Sequence, residues 1–131
     1  MRAHRAVAGL VAILGLWSCL SAGPKLKVDY LVQHWVRSYE EEKPDQTVQI
    51  FRPASWKAFP PSRFRMTYTF DRSGSCELYV LSPDDAHHFD ACTWSVIEGG
   101  KARLQIKHAG ATTNFKILEL SAELLRLEPV E

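Results

Sequence analysis

Residues 60–81 read "PPSRFRMTYTFDRSGSCELYVL", two runs of alternating large apolar and polar side chains around Asp-Arg-Ser-Gly-Ser. In the first run Phe64, Met66, Tyr68 and Phe70 fall on one side, and Arg63, Arg65, Thr67 and Thr69 on the other. A period of two is that of a strand with one buried face. Cys76 to Leu81 repeats the pattern less cleanly, and the residues between are turn formers. The stretch therefore predicts a β-hairpin whose apolar face needs a cover, and the nature of that cover decides the fold.

The N-terminal residues belong to a different kind of segment. Arg2 and Arg5 precede the apolar run "AVAGLVAILGLW", which gives way to the small-residue stretch "SCLSAGP". A basic start, a short apolar core and a small-residue exit describe a secretory signal peptide, so residues 1–22 are expected to leave and residues 23–131 to fold. The apolar run is too short to serve as a permanent bilayer span. Cleavage after Ser18, after Ser21 or near Gly23 suits this pattern. The first choice leaves Cys19 leading, and Leu16-Trp17-Ser18-Cys19 resembles a bacterial lipoprotein signal, with Trp17 where a small or β-branched residue is usual. Two fates for Cys19 stay open, a lipid anchor in the envelope or loss with the signal. The destination is extracytoplasmic in either case: secreted, periplasmic or lipid-anchored.

Without Arg2 and Arg5, acidic residues outnumber basic ones by one. No basic stripe survives and the aromatics are not interleaved with Lys or Arg, which argues against a nucleic-acid surface. About 110 residues make one small domain, expected to be monomeric. Cys76 and Cys92 would meet an oxidising environment after export. A hairpin with its tip near Asp84 sets residue 76 opposite residue 92, where a disulfide fits. The alternative is a pair of small buried thiols.

Strand signals continue from end to end. "KLKVDYLVQHW" supplies a short helical turn before a first strand over 33–41, and "TVQIFRP" is a second strand stopped by Pro53. Residues 54–62 form the one long loop, with Trp56 and Phe59 as apolar anchors. Beyond the opening hairpin, a fifth strand around 92–97 and a sixth over 102–107 flank "EGGK". Pairing Val96 with Leu104 and Trp94 with Ile106, through a three-residue loop with a glycine bulge, puts the apolar set on one face. "TNFKILEL" and "LLRLEPV" are the seventh and eighth strands, separated by Ser121-Ala122-Glu123. Eight short strands with short connections predict an all-β, eight-stranded antiparallel up-and-down barrel, in which the closed sheet covers its own apolar face.

This pattern resembles the lipocalin-like (calycin) superfamily in its small bacterial form. The resemblance runs over the whole mature chain and rests on a first-strand Trp followed by "SYEE", on "FRP", on "SRFRMTYTF" before a Gly turn, on a Trp in the fifth strand, and on "LELSAELLRL". It implies that Trp35 sits at the closed end of the barrel with Arg126 packed over it, although position 33 is Gln where the family usually has Gly. It implies a fold more securely than an activity, since members include carriers of small apolar molecules, inhibitors and a few enzymes.

On this reading Phe64, Met66, Tyr68, Phe70, Trp94, Val96, Leu104 and Ile106 point inward. They form either the wall of an apolar pocket or a filled core. "DDAHHFD" offers Asp84, Asp85, His87, His88 and Asp90, but adjacent histidines on an extended chain face opposite sides, so no metal site is expected. Trp56, Phe59, Ser62 and Arg63 form either a lid over the barrel or a structural cap. No nucleophile triad, phosphate loop or paired-carboxylate site can be assembled, so neither catalysis nor a cofactor is expected. The expected function is weak binding of a small apolar or amphipathic molecule. The rival is a protein-binding module such as a periplasmic protease inhibitor with "SAGPKLKVDY" as its arm, or a packed barrel with no ligand. Leu26, Val28, Tyr30 and Leu31 speak against the arm, because they suit packing on the barrel's end.

Overall fold

The computed structural model describes residues 26–57, 59–81 and 87–130. The expected signal peptide, Cys19, Asp84 and Asp85 lie outside the described residues. A 3-10 turn, Val28–Leu31, precedes β1 (His34–Arg37), and a second, Tyr39–Glu41, follows it. The remaining strands are β2 (Gln49–Pro53), β3 (Thr67–Phe70), β4 (Ser75–Leu81), β5 (His87–Ile97), β6 (Arg103–His108), β7 (Ala111–Leu120) and β8 (Leu125–Val130).

The eight strands close into one antiparallel barrel in the ring order β1-β2-β8-β7-β6-β5-β4-β3. From β3 to β8 each strand pairs with the next in sequence. The first hairpin enters the ring reversed, with β1 against β3 and β2 against β8. The connection from Pro53 to Thr67 therefore passes over the outside of β1, which is why it needs the length of residues 54–66. Val36 and Thr67 are paired outward-facing residues, yet each is only 9% exposed, because this strap lies over them.

The β5–β6 register is the expected one, Val96 opposite Leu104 and Trp94 opposite Ile106. The connecting loop is longer than expected, running over 98–102, with Gly99 and Gly100 both at positive φ where side chains are strained. β5 begins at His87, five residues before the expected start of the fifth strand near residue 92. The first strand is shorter than expected, because residues 39–41 turn helical to carry the chain towards β2.

Inward residues pack into one core cluster, in which Leu31, Trp35, Phe51, Leu104, Leu125 and Leu127 are fully buried. Cys76 stands directly opposite Cys92 and the two sulfurs are bonded, S–S 2.07 Å. The bridge lies inside the barrel wall beside Phe70 and Leu78, as the alternation requires.

Candidate functional site

The two ends of the barrel differ. One end is shut by the first 3-10 turn, whose Leu31 is buried and whose Val28, with Leu26 just before the turn, packs against the core. The Trp35 indole N–H donates to the Leu31 carbonyl at 3.1 Å. The Gln33 side chain reaches the Ala122 carbonyl in the β7–β8 turn, and Arg72 in the β3–β4 turn pairs with Asp29 at 2.6 Å. At the same end the Trp94 indole donates to the Asp71 carbonyl at 2.8 Å.

At the opposite end the inward positions become polar. Arg37, two residues after Trp35 and on the same face, holds Glu42 in a paired hydrogen bond, 2.8 and 2.9 Å. That bond keeps the guanidinium protonated more firmly than usual despite its partial burial. Tyr68 lies deeper, 4% exposed, and burial pushes its phenol up to about 12, with Arg37 pulling the other way. Across the barrel Asp90 binds two imidazoles, His108 Nε2 at 2.7 Å and His88 Nε2 at 3.0 Å. The inner face thus runs from an apolar, shut end to an end carrying a cation, a phenol and a carboxylate–imidazole network.

Most of the expected inward residues are inside: Tyr68, Phe70, Leu104 and Ile106 are buried, and Met66, Trp94 and Val96 flank the core. Phe64 is a correction. It stacks on the outward Tyr79 at 5.3 Å and on His87 at 5.6 Å, because the ladder of β3 begins only at Thr67 and the strap delivers residue 64 outside the wall. Arg126 is a second correction. Its neighbours Leu125 and Leu127 occupy the inward positions, so Arg126 faces out, 38% exposed, near Glu119 at 3.7 Å rather than over Trp35. His87 and His88 do face opposite sides. Among the described residues no group of three or more His, Cys, Asp or Glu side chains is placed to hold a metal ion.

The strap aromatics form no lid over either end. An open cleft of about 180 Å³ lies between the strap and the second 3-10 turn, lined by Ser38, Glu40, Glu41, Trp56, Phe59 and Pro60 among others. Its rings already carry cations of this chain, Arg52 over Trp56 at 4.2 Å and Arg65 over Phe59 at 5.0 Å. Arg52 also binds Glu41, and Arg65 binds Glu40. The run Glu40-Glu41-Glu42 thus gives each carboxylate its own arginine: Arg65, Arg52 and Arg37.

Sequence reasoning missed Arg37 and His108 as neighbours of the interior. The signal was present for His108: one step beyond the Thr93–Lys107 pair, residue 108 falls opposite Cys92 and next to Asp90 on the inner face.

Comparison with known proteins returns no match: no family model, no curated protein and no solved structure is similar enough to be counted as a relative. What stands is the architecture, a closed eight-stranded antiparallel barrel with one internal disulfide, which fits a lipocalin-like fold. A small disulfide-bonded barrel is compatible with an extracytoplasmic location.

Proposed function

We propose that this chain is an exported, lipocalin-like barrel of the calycin type that weakly binds a small amphipathic molecule at its polar end, without catalysis. The observation that carries this reading is the gradient along the inner face. The buried apolar core meets Tyr68, and beyond it stand Arg37 on one side and Asp90 with His108 on the other. A hydrogen-bonding headgroup would sit against Arg37, and its apolar portion against Tyr68 and Met66. The affinity is expected to be modest, because the core cluster occupies most of the interior.

The packing of Leu26, Val28 and Leu31 onto the barrel's end works against an inhibitor arm built from these residues. The test is native mass spectrometry of the protein as purified from its host, without reducing agent. A co-purifying mass of lipid size, lost on denaturation and reduced in Arg37→Ala and Tyr68→Phe variants, supports the reading. A bare chain, two protons lighter than its reduced form, would favour a packed barrel with no ligand.

A further inference from the structure

The β4–β5 hairpin extends past its neighbours. β5 pairs with β4 from Thr93 down to His87, but with β6 only from Thr93 to Ile97. Among the described residues, 87–91 therefore have no strand on their β6 side and form an open edge. Open edges are ready templates for another strand. The direction of the free groups follows from the ladder. The Trp94 N–H donates to the Gly74 carbonyl on the β4 side. By alternation residues 92, 90 and 88 also bond towards β4, so His87, Phe89 and Ala91 turn their N–H and C=O groups to the empty side.

The side chains of this edge are self-complementary. Phe89 lies at its centre, 57% exposed, with its ring tilted against that of Tyr79 at 4.9 Å. His88 and Asp90 flank it on the other face. In an antiparallel pairing with Phe89 on a two-fold axis, residue 87 meets 91, and His88 meets Asp90, twice over.

We propose that the β5 edge, residues 87–91, pairs with the same edge of a second copy of this chain. Phe89 opposes Phe89, and each His88 exchanges the Asp90 of its own chain, 3.0 Å away, for the Asp90 carboxylate of the other copy, while His108 keeps its hold on its own Asp90. Three hydrogen-bonded pairs supply about six ladder bonds. The four-ring row of Tyr79 and Phe89 from each copy buries the exposed aromatic surface, the kind of patch that marks an interface. The symmetry is that of an isologous dimer. This inference does not rest on the ligand reading.

The test is sedimentation velocity across a concentration series, on the protein purified from its host with the disulfide intact. A concentration-dependent monomer–dimer equilibrium is expected, abolished by Phe89→Lys, a change at an exposed position. Asp90→His and His88→Asp each place like groups opposite one another. They should raise the dissociation constant roughly tenfold, since two cross-strand pairs are spoiled. The double variant should recover most of that loss. Hydrogen exchange gives a second readout: protection of the 87, 89 and 91 amides should rise with protein concentration. A wild-type chain that stays monomeric at about 0.1 mM overturns the proposal. So does a dimer that survives Phe89→Lys, or 87, 89 and 91 amides whose exchange ignores concentration.

Discussion

The Trp35 indole N–H donates to the Leu31 carbonyl over 3.1 Å, and both side chains are fully buried. This bond fastens the first 3-10 turn across the barrel end, so the segment before β1 acts as a plug and not as a loose tail.

Removing either half of the plug should therefore act on stability. Leu31→Ala deletes a fully buried side chain and is expected to cost about 2–5 kcal/mol. Trp35→Phe keeps a ring but removes one of two donors to the Leu31 carbonyl, which still accepts from the Gln33 N–H at 2.8 Å, so the cost is about 0.5–1.5 kcal/mol plus the lost ring volume. Urea midpoints check both, and a Trp35→Phe variant as stable as the parent would remove the bond from the account.

The Cys76–Cys92 bridge spans a sequence separation of 16 between adjacent strands. In the chain-entropy picture a loop of this size contributes about 3 kcal/mol by restricting the unfolded chain. The Cys76→Ser/Cys92→Ser double variant should lose that or more, since both positions are buried. Urea denaturation of the parent with and without reductant isolates the bridge itself.

Acid should weaken the strap. Hydrogen bonds from Arg52 hold the Glu41 carboxyl down from 4.5 to about 2. A depressed acid contributes stability that is present above its unfolded pKa and lost as pH falls through the folded one. The stability gap between the parent and Glu41→Gln should thus be constant above about pH 5 and shrink towards zero near pH 2. Glu41 is partly exposed, so after screening the gap at neutral pH should be about 1 kcal/mol. Chemical denaturation at a series of pH values measures it, and a gap that widens in acid would contradict the sign.

Thr67 Oγ1 is buried and finds no hydrogen-bond partner among the described residues. Thr67 alternates with the inward Tyr68, so its hydroxyl faces out and is stranded beneath the strap. Thr67→Val keeps the shape and removes the unpaired group, and should stabilise the barrel by about 1 kcal/mol, read as a rise in urea midpoint.

Much of this molecule is local in origin and was legible on that basis. The alternation around residues 63–70 and 76–81 and the turn residues between them specify a hairpin. The Val96–Leu104 register follows from demanding one apolar face, and the Cys76–Cys92 pairing from the hairpin's symmetry. The candidate site was less legible. Its inner wall was readable through Tyr68, Phe70, Leu104 and Ile106, but its polar end depends on Arg37, Asp90 and His108, which come from separate strands. Phe64 shows how period-two reasoning fails: the alternation persists in sequence after the ladder has stopped.

By itself the sequence determined that the chain is a set of short antiparallel strands with one buried face, because strand period, turn chemistry and hairpin register all act within a few residues. Tertiary structure alone decided that β1 lies between β2 and β3, that the strap runs outside the wall, and that Glu40, Glu41 and Glu42 each take a different arginine. It also decided that Arg126 faces solvent while the Leu31 carbonyl takes the Trp35 bond. The reason is physical: an alternating strand satisfies its apolar face equally well at several places in a ring, and only the closure of the whole barrel selects among them.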